Sequence, residues 1–117
     1  MALTPPELDA FLVAQLTEPE LGRAVVYALA EAVTVGTLLK LLPLTVPIRR
    51  EALLAFVDRE PLANWGHSCR YILVDTETDE AVSVESRFLP FGRTKLVGWR
   101  IVYRAPFVPD SALATLE

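Results

Sequence analysis

The alternation between Cys69 and Phe107 constrains this chain more than any other stretch, because a period of two fits a pleated strand and no helix. Cys69 to Asp75 is rich in β-branched and aromatic residues and predicts a first strand. Thr76–Glu80 follows as a polar connector of hairpin length, in which Asp79 best tolerates a left-handed backbone. A second strand is expected over Ala81 to Leu89, with Val82, Val84 and Phe88 on one face and Ser83, Glu85 and Arg87 on the other. Pro90–Thr94 reads as a second turn, Pro90 fixing φ and Gly92 free to make it positive. A third strand is expected over Lys95 to Ala105. Its faces are Val97, Trp99, Ile101 and Tyr103 on one side and Gly98, Arg100 and Arg104 on the other, until Pro106 and Pro109 end it.

Such a ribbon has a bulky apolar face that must be covered, and the preceding half of the chain reads as helical cover. Thr4-Pro5-Pro6-Glu7 has the residues of a capping box with proline in the first turn, and Leu8, Phe11, Leu12 and Leu16 follow as one apolar stripe. Thr17-Glu18-Pro19-Glu20 repeats the device and predicts a second helix from Glu18 to about Val35. Beside its polar line of Arg23, Tyr27 and Glu31 runs a seam of small residues, Ala24, Ala28, Ala32 and Gly36, suited to close approach by another backbone. A short helix over Leu38–Leu42 and a third long one from Pro47 to about Arg59 complete the reading. The expected class is therefore α+β: an N-terminal three- to four-helix segment (residues 4–60) on one face of a C-terminal three-stranded antiparallel β-meander (residues 69–107). A short tail, residues 108–117, completes a single domain of 117 residues.

Composition narrows the function. A hydrophobic fraction of 52% and a mean hydropathy of +0.35 point to a second apolar surface, hence an oligomer or a partner. No charge-free run nears the ~20 residues a membrane span requires, since Arg23, Glu31 and Lys40 interrupt the most apolar stretch. One cysteine excludes an internal disulfide and fits a reducing, cytoplasmic setting. The start, Met1–Glu7, has neither the basic region nor the apolar run of a secretory signal. One His and one Cys cannot close a zinc site, and the five glycines are too scattered for a phosphate loop, so no metal or cofactor is expected. The carboxylates of Asp75, Glu77, Asp79 and Glu80 lack the central Gly and closing Glu of a calcium loop and read as a solvated turn.

Three sets of residues bear on function. The formal charge is −4, yet Arg87, Arg93, Lys95, Arg100 and Arg104 fall in a stretch without an acid. With Arg70 and the nearby Phe91 they predict an arginine-lined sheet face for an acidic protein partner. His67 and Cys69 share a side of an extended segment, but no orienting acid is evident, and Cys69 reads more simply as a small buried hydrophobe. Arg49 and Arg50 sit at the N-terminal end of the expected third helix, unfavourably for its dipole. That placement suits a phosphate or nearby carboxylates. The leading reading is a non-enzymatic interaction module, self-associating through its helices along the Ala24–Gly36 seam. The rival is a winged-helix-like nucleic-acid-binding regulator using Arg49 and Arg50, whose Thr76–Glu80 wing is acidic and so ill suited to DNA. A thiol enzyme built on Cys69 and His67 is the weaker third.

Overall fold

Both helix starts form where their caps stand. A computed structural model describes residues 4–41, 44–63, 68–87 and 98–113. Helix α1 spans Pro5–Ala14, and the Glu7 amide donates to Thr4 Oγ1 at 3.4 Å while the Thr4 amide donates to Glu7 Oε1 at 3.0 Å. Helix α2 repeats this with Thr17 and Glu20 but ends after Glu18–Arg23.

From there the regular elements among the described residues are strands, apart from a 3-10 turn at Asp110–Ala112, which corrects the helix-rich expectation. Strands β1 (Val25–Leu29), β4 (Ala52–Asp58), β5 (Cys69–Asp75), β6 (Ala81–Ser86) and β7 (Trp99–Arg104) form an antiparallel sheet in the order β6-β5-β4-β1-β7. A separate hairpin pairs β2 (Leu38–Leu41) with β3 (Leu44–Pro47). The expected three-stranded meander is also corrected. β6 and β7 do not pair; they are opposite ends of the sheet, with β5, β4 and β1 between them.

The physical reason lies in burial on both faces. A strand covered on two sides is apolar throughout, and periodicity cannot then separate it from a buried helix. A spacing of four also lands on one face of either element. Ala24 and Ala28 thus mark not a helical seam but the side of β1 that faces α1, where both are fully buried with Val26, Ala55, Val57, Ile72 and Val74 beneath Leu8, Leu12 and Leu16. The small side chains let α1 lie close to the sheet. Ala32 is half-buried and Gly36 exposed, both after β1 has ended.

The other face centres on an aromatic row. Tyr27, Phe56 and Tyr71 are direct cross-strand neighbours on β1, β4 and β5. Ring centroids are 6.2 Å apart for Tyr27–Phe56 and 5.0 Å for Phe56–Tyr71, both tilted, a geometry worth about 0.5–1.5 kcal/mol per pair beyond area burial. Val33, Ile48, Ala105 and Val108 cover this row, with Leu39 and Val46 of the β2–β3 hairpin packed against it.

A bulge in β7 redirects its side chains. Val26 pairs with Tyr103 but Tyr27 with Ile101, leaving Val102 as the extra residue. Strict alternation puts Trp99, Ile101 and Tyr103 together; the bulge instead turns Tyr103 toward α2, where its hydroxyl donates to the Leu21 carbonyl. Arg100 and Arg104, expected on one face, are thereby separated.

Candidate functional site

The arginines expected to line an open sheet face stand in different places. Arg70, on the α1 side of β5, is 8% exposed and faces Glu20, itself 2% exposed. Arg70 Nε and Nη2 reach the two Glu20 carboxylate oxygens at 3.0 Å each, Nη1 donates to Ser83 Oγ at 2.7 Å, and Nη2 also donates to the Gln15 carbonyl at 2.8 Å. Arg59, just past β4, bridges to the same carboxylate at 2.8 Å and holds Glu85 of β6 through two bonds of 2.6 and 2.8 Å. Two acids and two arginines thus close a neutral quartet across α2, β4, β5 and β6.

Electrostatics follow from that geometry. Burial pushes the Glu20 carboxyl up, but hydrogen bonds from Arg70, the Thr17 amide and Arg59 outweigh it and hold the group at about 2. The Arg59 bonds likewise hold Glu85 below the usual carboxylate range, and Glu85 fixes Arg59 more firmly in its charged form. Glu20 and Arg59 escape sequence reasoning because their charged partners are 26 to 50 residues away. The one local trace is the capping-box spacing of Thr17 and Glu20.

The remaining candidates divide similarly. Arg100 pairs with Asp9 of α1 at 2.5 Å, and Arg104 pairs with Asp110 at 2.7 Å while donating to the Val108 carbonyl. Arg50 meets Asp75 at 2.7 Å and Glu77 at 3.0 Å, the carboxylates rather than a phosphate. Arg49 and Arg87 are exposed and bond to no described residue. Phe91, Arg93, Lys95 and His67 lie outside the described residues. The helix on which Arg49 and Arg50 were to read nucleic acid is strand β4, and the two arginines occupy the link before it. Cys69 is fully buried; desolvation first of all, against a hydrogen bond from Ser86, pushes its thiol up to about 11. Among the described residues no three His, Cys, Asp or Glu side chains could hold a metal, and no helix is long and apolar enough to cross a membrane.

Among the described residues a concavity combines apolar lining with a guanidinium that has no bonded partner there. Between the β3–β4 link and the β5–β6 end of the sheet is a groove of about 290 Å³, lined by Val46, Pro47, Ile48, Leu73 and Val82. Arg49, Arg50, Asp75 and Glu80 rim it, and a more polar depression beside it shares both arginines. Arg50 and Asp75 neutralise each other, which leaves Arg49 as the cation available to a ligand. Val82 is 60% exposed on the groove wall. No family model, curated protein or solved structure matches the chain.

Proposed function

We propose that the chain is a non-enzymatic protein-interaction module that takes an extended, apolar segment bearing an acidic residue into the groove beside β6. The observation that carries this reading is Arg49: an exposed guanidinium without a bonded partner among the described residues, standing over apolar walls from Val46, Ile48, Leu73 and Val82. Apolar side chains would supply the affinity and the acid its orientation. Against thiol chemistry stand the burial of Cys69 and its raised pKa, which keep it a protonated hydrophobe near neutral pH.

Panning a display library of random linear peptides on the immobilised protein tests the reading. Enriched sequences should share apolar residues flanked by Asp or Glu, and their binding should weaken about tenfold or more in Arg49→Glu. A panel with no shared pattern, or one captured equally by Arg49→Glu, refutes it.

A further inference from the structure

The phase of the β5–β6 ladder decides which way each backbone group of β6 points. The Asp75 amide donates to the Glu80 carbonyl at 2.9 Å, so Asp75 and Glu80 are a hydrogen-bonded pair. In an antiparallel ladder such pairs alternate. With the register Leu73↔Val82, Tyr71↔Val84 and Cys69↔Ser86, the even-numbered residues of β6 bond inward to β5. The opposite edge of β5 agrees: the Arg59 amide donates to the Ser68 carbonyl and the Thr76 amide to the Glu51 carbonyl, which turns the even residues of β5 toward β4. The amides and carbonyls of Ala81, Ser83 and Glu85 therefore point away from the sheet, and none of them bonds to a described residue.

Among the described residues this edge lacks the usual protection. Ala81–Ser86 contains no proline, no bulge is present in its pairing with β5, and its apolar Val82 is exposed. It is also self-complementary. In an antiparallel pairing of two β6 strands centred on Ser83, Val82 of each copy lies directly opposite Val84 of the other. That is a non-hydrogen-bonded pair, in which side chains approach most closely. Ala81 meets Glu85, whose carboxylate is already held by Arg59. Beyond the strand, Arg87 of each copy, which bonds to no described residue, comes alongside the other's acidic turn, where Glu77, Asp79 and Glu80 stand with Arg50 as counter-charge. Other two-fold registers lose one of these matches: centring on Ala81 leaves Glu85 beyond the other copy's strand, centring on Val82 sets Val84 against Glu80 and Glu85 against Asp79, and centring on Val84 or Glu85 sets valine against serine.

We infer that a second copy of this chain docks along β6 in that register, joining two sheets into one through about six backbone hydrogen bonds, two valine pairs and two Arg87–turn contacts. This surface is the strand edge and does not depend on the peptide reading of the groove. It also relocates self-association from the Ala24–Ala28 seam, which α1 covers.

Sedimentation velocity of the full chain over a dilution series tests the inference. A monomer–dimer equilibrium is expected. Ala81→Pro removes an outward amide at the first residue of an edge strand, where the β5 ladder does not use it, and should weaken dimerisation about tenfold or more. Arg87→Glu should weaken it as well, and adding Asp79→Lys, at the position opposite residue 87 in this register, should restore part of the loss. Urea unfolding of each variant confirms that the fold persists; if Ala81→Pro does not fold, the Arg87 pair of variants decides alone. A chain that stays monomeric at every concentration overturns the proposal, as does a dimer indifferent to Arg87→Glu. Groove binding is read separately through Arg49→Glu, so either result can fail without the other.

Discussion

Replacing Glu20 by Gln is the sharpest test of what holds the α1 side of the sheet together. Glutamine keeps the size of the side chain and an oxygen for the Thr17 amide, but it removes the charge and sets an NH2 donor where Oε2 accepts from Arg59 and Arg70. At 3% side-chain exposure the carboxylate gains nothing from solvent, and its 3.0 Å bonds make it the charged partner of Arg70. Held from an ordinary 4.5 down to about 2, its ionised form contributes about 3 kcal/mol near neutral pH. An independent route gives a similar size: stranding one member of a buried pair costs about 3–5 kcal/mol. Against a total stability of about 5–15 kcal/mol for a domain of this kind, the loss is severe but survivable. Urea unfolding followed by circular dichroism should show the midpoint fall by roughly 1–3 M. The pH dependence supplies the sign. Because the folded value is depressed, the stabilisation is complete above 4.5 and disappears as pH falls through about 2, so the gap between the parent and Glu20→Gln should close over that window. Replacing Glu20 and Arg70 together by Leu and Met should recover much of the loss, since the stranded charge goes too. A midpoint within about 0.3 M of the parent near neutral pH would refute the assignment.

Two further outcomes follow from Cys69 and Tyr103. Cys69 should resist iodoacetamide in the native protein and label at least about a hundredfold faster in denaturant, because its modification must await opening of β5; rapid native labelling would contradict its burial. Tyr103→Phe removes the donor to the Leu21 carbonyl and should cost about 1 kcal/mol, or about 4 °C in melting temperature, whereas an unchanged melt would mean that the bulge in β7 does not depend on that bond.

The legible parts of the fold are those whose signal is local. The capping boxes at Thr4 and Thr17 start helices because each is complete within four residues. β5 runs from Cys69 to Asp75 as expected, and Asp79 takes a positive φ of 62° in the turn that follows. The illegible parts are set by distant neighbours. Val25–Leu29 and Ala52–Asp58 are central strands buried from both sides, so they carry no alternation, and their alanines and aromatics fit helical spacing equally well. Propensity leaned the other way at Val25-Val26-Tyr27, where β-branched and aromatic side chains favour a strand, but it yields no register. The bulge at Val102 leaves no local mark either, and one extra residue sends Tyr103 and Arg104 to the faces that strict alternation denies them.

The same distinction explains why the arginine-lined face does not form as a surface. An arginine on a strand is equally compatible with solvent and with a carboxylate on another element, and only the tertiary fold chooses. Here it places a carboxylate or carbonyl within bonding distance of Arg59, Arg70, Arg100 and Arg104. The guanidinium of Arg70, forked onto the buried Glu20 carboxylate, has little left to offer a partner, since a new bond would have to replace one already made. In the two proposals the charge contacts are assigned to arginines without a bonded partner among the described residues, of which Arg49 and Arg87 stand at the groove and at the end of β6. Both border the β6 side of the sheet, where Val82 is exposed and the backbone of Ala81, Ser83 and Glu85 is unpaired among the described residues. Apolar surface, free cation and open strand edge coincide there. For that reason the two binding proposals converge on one margin of the molecule and share Val82, while resting on different cations, Arg49 and Arg87.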